Sequence, residues 1–472
     1  MKFREWLGSR WPLFSAILLV GAFVRLKGLG AESLWLDEAW TWGLVRDGAA
    51  TLLDRLAHHD AHPPLYFLIV RIFTSLFGAS EAVLRLPSAL AGIAALPLLY
   101  RFASRIGDKE TGLLAMLLLA ISPFHVFFSQ ESRSYALLLL LCLASLDLLF
   151  GLRTAPSRGR WAGFAALTAG IMLTHYMGAF FILSEAAVAA LLFRDRPGFL
   201  RELALSLAGS LVLYLPWLPT ALTHMAGIDR GFWIPKPTWP ILGVALYNLV
   251  SHVYHPGVPR AALAVLPFYL LLILVPLRDR RRETLALLLL FALPIAGEFL
   301  VSMRRPVFYT RTFLHVLIPL WTLAARGAFL LPRRYAWAAA VFLSVGLAPS
   351  TLFLHRTAEK EDFRGAAALL ESTSAPDERI VVQEGFVAMG LDYYSPRLDR
   401  VLRVDSGTLL SPGTPRADIE REIRGSAAGV WLVFRYGQDG GWPAALASDF
   451  ERQGAWKSAG IEVHYLRRRA VK

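Results

Sequence analysis

The chain has 472 residues, of which 55% are hydrophobic and 18% charged. A soluble protein carries about 25% charged residues, so the deficit excludes an ordinary water-soluble fold. The formal net charge is +13, yet the arginines stand mostly in short loops between apolar blocks, where they orient a membrane protein, and no aromatic-and-basic module for nucleic acid is visible. The single cysteine, Cys142, lies inside an apolar run, which excludes an intramolecular disulfide and a cysteine-based metal site.

Lys2, Arg4 and Arg10 precede an apolar stretch over 11–24. No small-x-small cleavage pattern intervenes before Arg25 and Lys27, so the stretch reads as an uncleaved first transmembrane helix. A mixed segment follows over 28–80. Apolar blocks then run over 83–101, 111–128, 134–152, 161–175, 177–193, 201–222, 261–277, 284–302, 309–330 and 335–353. A bilayer takes roughly 20 residues per helix, and with the first helix these blocks give eleven spans. Pro97, Pro216, Pro294 and Pro319 fall within blocks, which membrane helices tolerate.

The positive-inside rule tests the count. With the N-terminus in the cytoplasm, the inner loops carry Arg101, Arg105 and Lys109; Arg153, Arg158 and Arg160; Arg194, Arg196 and Arg201; Arg278 and Arg280 to Arg282; and Arg333 with Arg334. The opposite loops hold Asp37, Ser129 to Ser134, Thr174 to Tyr176, the 223–260 loop, Ser302 to Phe308, and everything after His355. The short stretch from His62 through Phe73 starts at a proline pair and carries Arg71. Were it to span, the basic loops would all face outward. It is therefore expected as an amphipathic helix in the outer interface. His175 and Tyr176 mark the break that divides 161–193 into two helices.

Beyond Leu354 the composition turns polar. A helix through Leu370 and strands at Arg379 to Gln383, Gly429 to Phe434 and Ile461 to Leu466 predict a small α/β domain whose strands and helices alternate as in a parallel sheet. The expected fold is thus a polytopic α-helical membrane protein of about eleven spans over 1–354, with its first outer loop at 30–82, followed by an extracytoplasmic α/β domain over 355–472.

Four groups of residues could carry chemistry, all on the outer side by parity. Asp37 and Glu38 form a carboxylate pair flanked by Trp35, Leu36, Ala39 and Trp40; apolar surroundings raise a carboxylate pKa and nearby arginine lowers it, so such a pair can be tuned as a base. The plain alternative is a helix start. His58, Asp60 and His62 have a spacing a metal could use, but a polar loop capping the interfacial helix, with a substrate-positioning role, is the preferred reading. No cofactor is assigned, and a divalent metal is not predicted. Arg133 and Tyr135, next to Glu131, suit a phosphate, since guanidinium gives bidentate bonds and the phenol another donor; snorkelling at the interface is the alternative. Arg304, Arg305 and Arg311 stand on an outer loop against the positive-inside trend and call for an anionic partner, either lipid headgroups or a lipid phosphate. His175 and Tyr176 fall on the same side.

The order Leu34-Trp35-Leu36-Asp37-Glu38-Ala39, His62-Pro63-Pro64-Leu65 and Ser129-Gln130-x-x-Arg133-x-Tyr135 resembles the protein O-mannosyltransferase and lipid A aminoarabinose transferase relatives of the glycosyltransferase C superfamily. The likeness is strongest over 30–140 and runs in outline to about 355, and the tail opening Glu361-Asp362-Phe363-Arg364 resembles those of bacterial members. The resemblance implies a polyprenyl-phosphate-sugar donor and an outer-face active site in the cytoplasmic membrane. It makes Asp37 the catalytic acid of the first loop and Glu38 the second. It sets His62 near the sugar and gives Arg133 and Tyr135 to donor binding. In aminoarabinose transferases an acidic residue follows the Arg–Tyr region; here Ala136 and Leu137 stand there, and Glu131 precedes Arg133. Phosphate is already a good leaving group, so Arg133 with Arg304, Arg305 and Arg311 need only neutralise developing charge, while Asp37 deprotonates an attacking acceptor hydroxyl. That is inverting transfer. The rival, a transporter or flippase for a lipid-linked saccharide, would show repeated halves and midplane ionisable groups; no repeat is evident, and the polar groups cluster at one face. The expected partners are the donor, membrane lipids and an acceptor that the sequence does not identify.

Overall fold

The structure, a computed structural model, describes residues 10–196, 198–228, 234–251, 261–279, 281–354, 360–395, 401–405, 413–426 and 428–470. By density of contacts the chain forms two compact units: one of residues 1–27, 61–66 and 85–356, the other of residues 28–60, 67–84 and 357–472.

The first unit is helical. Its elements are α1 (Trp11–Leu26), and, after α2 (Leu36–Val45), α3 (Ala49–His59) and the bulk of α4 (Leu65–Phe77) in the other unit, α5 (Glu81–Ile106), α6 (Lys109–Ala120), α7 (Pro123–Ser129), α8 (Tyr135–Leu152), α9 (Arg158–Thr174), α10 (Gly178–Phe193), α11 (Phe199–Tyr214), α12 (Leu218–Ile228), α13 (Trp239–Ser251), α14 (Ala261–Leu274), α15 (Arg282–Ser302), a 3₁₀ turn Thr310–Val316, α16 (Leu317–Phe329) and α17 (Arg333–Leu354). Every apolar block read from the sequence is helical. Among the described residues six helical stretches are long and apolar enough to cross a membrane, or seven if the bent pair α6–α7 counts as one. The 59° bend in that pair falls where Pro123 can offer no N–H to continue the first helix. Inside the 223–260 loop the sequence reading placed no helix; α13 is there, while residues 229–233 and 252–260 lie outside the described ones.

Leu19, Phe23, Leu205, Leu211, Val212 and Leu300 are exposed on these helices, as lipid-facing side chains are in a membrane protein. The core between helices is dominated by Leu, Phe and Ala, with Trp321 fully buried. Where charge enters, directed hydrogen bonds hold it, since hydrocarbon offers none. Arg25, fully buried, donates to the carbonyls of Gly21, Leu119 and Ala120 at 2.8–2.9 Å and to His125 Nδ1 at 2.6 Å.

The loops that the charge rule puts inside meet one another. Arg153 pairs with Glu283 at 3.4 Å and Arg282 with Asp195 at 2.5 Å, and Arg101 and Arg105 both reach Asp147. These groups lie at the ends of α8 and α9 away from Tyr135 and His175.

The second unit contains a five-stranded sheet of order β2-β1-β3-β5-β4, made of β1 (Arg379–Val382), β2 (Val401–Arg403), β3 (Gly429–Arg435), β4 (Phe450–Ser458) and β5 (Ile461–Arg468). Its helices are α18 (Phe363–Thr373), α19 (Ala388–Tyr394), α20 (Arg416–Ser426) and the short α21 (Trp442–Ala445). The expected parallel sheet is found for β1, β2 and β3. The third expected strand, β5, instead runs antiparallel to β3, and a tight turn through Ala459 and Gly460, both at positive φ, folds it back against β4. Alternation then buries both faces: Ile380, Val382 and Val433 join Phe363, Leu370 and Leu391, while Val381, Leu432 and Phe434 join Ile419, Ile423 and Trp442.

Candidate active site

In the helical unit the segment between α7 and α8 is tied down before any ligand arrives. Gln130 Nε2 donates to the carbonyls of Val24, Arg25 and Lys27 at 2.9–3.2 Å, satisfying acceptors that the end of α1 leaves open. Ser88 Oγ, itself 2.8 Å from the Tyr66 hydroxyl, donates to the Arg133 carbonyl at 2.9 Å. The Arg133 side chain, 4% exposed, then places Nη2 2.9 Å from His62 Nε2. Arginine can only donate, so His62 accepts through Nε2 and carries its proton on Nδ1.

Around this pair the structure gathers three more of the sequence-predicted residues. His175 ends α9 in extended conformation, which is what breaks 161–193 into two helices. Its ring lies 6.0 Å from His62 and 5.7 Å from Tyr135, centroid to centroid, and its Nδ1 accepts the Met177 N–H at 3.2 Å. The Arg311 guanidinium sits 4.6 Å from the Tyr309 ring centre and 5.6 Å from that of Tyr135. Its 3₁₀ turn is fixed by Glu298, buried on α15, which accepts the Thr312 hydroxyl at 2.7 Å and the Tyr309 N–H at 3.3 Å. His62, Arg133, Tyr135, His175 and Arg311 thus form one cluster at one end of the helical unit. Two guanidiniums, a phenol and two imidazoles can bind a phosphate through several directed N–H and O–H bonds.

The other predicted residues of this unit go elsewhere. Glu131 is fully buried in the segment beside Arg133. The Tyr176 hydroxyl lies 2.8 Å from His224 Nδ1 and accepts from Trp217 Nε1 at 3.1 Å, a set that the sequence reading missed because Trp217 and His224 stand 41 and 48 residues away. Arg304 and Arg305 are exposed on the turn after α15, whereas Arg311 joins the cluster.

In the second unit Asp37 and Glu38 occupy the first turn of α2, where the helix dipole favours negative charge. Asp37 is half-buried and Glu38 fully buried. Glu38 Oε1 pairs with Lys360 Nζ at 2.9 Å, with both side chains at most 5% exposed. Glu361 Oε2 accepts the Leu36 N–H at 2.7 Å, while its Oε1 accepts from Arg435 Nε at 2.8 Å. Tyr394 accepts the Leu34 N–H at 2.7 Å, and Arg364 donates to the Ala31 and Gly30 carbonyls at 2.9 and 3.2 Å. Sequence reasoning noted Glu361 and Arg364 as the opening of the tail but had no signal linking either to residues more than 300 positions earlier.

The metal alternative separates into three different contacts. His58 turns to Asp54 on its own helix, Asp60 accepts from Trp40 Nε1 at 2.5 Å, and His62 faces Arg133. Among the described residues no group of three or more His, Cys, Asp and Glu could hold a metal ion.

A long helical bundle followed by a small mixed sheet is a fold that this chain shares with solved structures of other proteins. The solved structures that share it include ArnT from Cupriavidus metallidurans bound to undecaprenyl phosphate, with a TM-score of 0.67 and 16% sequence identity over 97% of this chain and 98% of that one. The apo oligosaccharyltransferase of Archaeoglobus fulgidus matches with a TM-score of 0.60 and 13% identity, covering 98% of this chain and 75% of that one. The archaeal oligosaccharyltransferase AglB from Archaeoglobus fulgidus, in complex with an inhibitory peptide and a dolichol-phosphate, matches with a TM-score of 0.58 and 13% identity, over 97% and 74% of the two chains. Residues 61–220 also match the family described as dolichyl-phosphate-mannose-protein mannosyltransferase. Among curated proteins no sequence matches the chain. The likeness is carried by fold.

Proposed function

We propose that this protein is a membrane glycosyltransferase that moves a sugar from a polyprenyl-phosphate donor to an acceptor hydroxyl, on the outer face of the cytoplasmic membrane and with inversion at the anomeric carbon. The observation that carries the reading is the cluster of Arg133, Arg311, Tyr135, His62 and His175, in a fold whose solved example from Cupriavidus metallidurans holds undecaprenyl phosphate.

In the proposed reaction the bond between the anomeric carbon and the phosphate oxygen breaks, and the lipid phosphate leaves with the electron pair. Arg133 and Arg311 stabilise the charge it gathers. The acceptor oxygen bonds to the opposite face of the sugar, and its proton passes to the Asp37 carboxylate, with Glu38 as the neighbouring acid. His62, Glu131, His175 and Tyr176 position the substrates. Arg304 and Arg305, exposed on their turn, meet anionic headgroups or the donor as it arrives. The direct test incubates purified protein in lipid nanodiscs with a panel of polyprenyl-phosphate sugars and lipid, glycan and peptide acceptors. One donor is expected to be converted to polyprenyl phosphate. A panel left wholly intact would end the reading.

The proposed topology has eleven spans over 1–354, with the α/β domain over 355–472 outside. It is supported by the pairing of the basic loops at one end of the bundle and the gathering of the cluster at the other. In a protein freed of Cys142, single cysteines at Met303, Ser157 and Thr373, all exposed positions, separate the two sides. An impermeant thiol reagent on intact cells is expected to label 303 and 373 and to spare 157. The reverse pattern would invert the protein and rebuild the site.

A further inference from the structure

The two acids of the first loop are held differently. Glu38 is fully buried with its Oε1 2.9 Å from Lys360 Nζ, and the Lys360 side chain is 5% exposed. Glu361, the next residue, takes the Leu36 N–H at the start of the same helix turn, and Arg435 on β3 holds Glu361 in turn. Asp37 lies between these two anchored positions. A segment 322 to 325 residues downstream therefore grips the carboxylate pair from both sides of Asp37.

We propose that Lys360 is a positioning residue for Asp37, and that the trailing α/β segment serves the reaction by holding the helix turn that carries the base. The inference rests on the reading of Asp37 as the acceptor of the proton. Two adjacent carboxylates in one turn repel each other, and left alone they titrate as a coupled pair. The Lys360 ammonium neutralises Glu38, so Asp37 is the carboxylate that takes the proton. Burial makes the arrangement stiff, because removing one partner of a buried ion pair strands the other's charge. Other charged groups near α2 have partners of their own: Glu361 with Arg435, Arg55 with Asp47, Asp54 with His58, Asp60 with Trp40, Asp392 with Arg403, and Arg71 with the Val45 carbonyl, while Arg46 lies over the Trp42 ring. Glu384 is half-buried near Glu361 and Arg435. Lys360 is the cation that meets Glu38.

The test needs no donor. The full-length protein in nanodiscs is treated with a water-soluble carbodiimide and an amine, and modification of Asp37 is followed by mass spectrometry from pH 4 to 9. The reagent consumes the protonated carboxyl, so the fall in labelling with pH gives the Asp37 midpoint. Lys360→Met leaves Glu38 as an unneutralised neighbour and is expected to raise the midpoint by about one pH unit. Glu38→Gln leaves the Lys360 ammonium in place and is expected to lower it by a similar amount. The double variant should fall between, and Lys360→Arg should stay with the parent. A merely structural role would change folding yield without moving the midpoint in opposite directions. If Lys360→Met fails to fold, Glu38→Gln and Lys360→Arg decide alone. A midpoint unmoved by Glu38→Gln overturns the inference. Full turnover by Asp37→Asn would instead overturn the assignment of the base, a separate measurement with a separate outcome.

Discussion

The site end of the helical unit and the second unit handle charge in opposite ways. The helical unit brings groups that are cationic or cation-ready against one another: Arg133 on His62, His62 beside His175, and Arg311 over Tyr135. The second unit sets its charges in opposed pairs: Glu38 with Lys360, Glu361 with Arg435, Glu81 with Arg364. Gathering like charges costs free energy in the resting protein and is repaid when an anion binds. Opposed pairs satisfy themselves and make a rigid holder. Under the proposed function the first part receives a ligand and the second presents a residue.

The largest effect that tests this contrast belongs to Asp37. Asp37→Asn keeps size and shape and removes the base, so turnover is expected to fall at least about a hundredfold, the scale of general-base catalysis. Donor binding, measured separately, should stay near that of the parent because the phosphate is assigned to the other unit. Near-normal transfer by a folded Asn variant would sink the assignment. A loss of donor binding with retained turnover per bound donor would erase the division between receiver and presenter.

Next comes the cluster itself. Arg133→Lys keeps a charge but loses the planar fork that bonds a phosphate bidentately, and Arg311→Lys does the same while weakening the stacking on Tyr135 and Tyr309. Each is expected to lower donor affinity by roughly tenfold, the worth of one charge-assisted hydrogen bond. Arg304→Ala and Arg305→Ala, both at exposed positions, should change it by less than about threefold, as exposed charges usually do. A reversed ranking would move the phosphate site to the turn after α15.

How much of this was legible in the sequence follows from how local each signal is. Apolar runs announce helices within a few turns of chain, and all eleven blocks are helical in the structure. Arg133 and Tyr135 stood out because one short segment held them both. Strand β4 escaped detection because Glu451, Arg452, Gln453 and Lys457 give it no apolar alternation. It is an edge strand with an exposed face, and charged side chains are how edges resist pairing. The turn of β5 against β4 depends on positive φ at Ala459 as well as Gly460, and an alanine there carries no turn signature. Lys360 and Glu38 are 322 residues apart, beyond any pattern a single sequence offers. The same distance hid Glu361 from Leu36. Conversely, Arg304, Arg305 and Arg311 looked like one group by spacing, whereas the first two are exposed and the 3₁₀ turn sets Arg311 over Tyr135.

The smallest effect compares two imidazoles that each meet an arginine. His62 accepts from Arg133 in the helical unit; His464, on β5 of the second unit, has Nε2 3.4 Å from Arg452 Nη2 and a ring centre 4.7 Å from that of Phe434. Burial lowers the His464 pKa below its ordinary value, and the Arg452 charge lowers it further, with Glu462 and Asp439 acting the other way. The sign follows from which state takes the proton first. Unfolded, the imidazole charges as pH falls through about 6.5; folded, it stays neutral to a lower pH. The stability this group gives is therefore present above pH 6.5 and lost as pH falls toward the folded-state value. Glu384 and Asp392, whose pKa values burial raises, tilt the same pH window the other way, so the readout is the difference between two proteins. Heating the full-length protein at pH 7 and at pH 5.5, the parent should lose roughly 1–3 °C more than His464→Gln, since glutamine retains a polar side chain but cannot charge. Parallel slopes for the two proteins would mean that His464 takes its proton equally in both states.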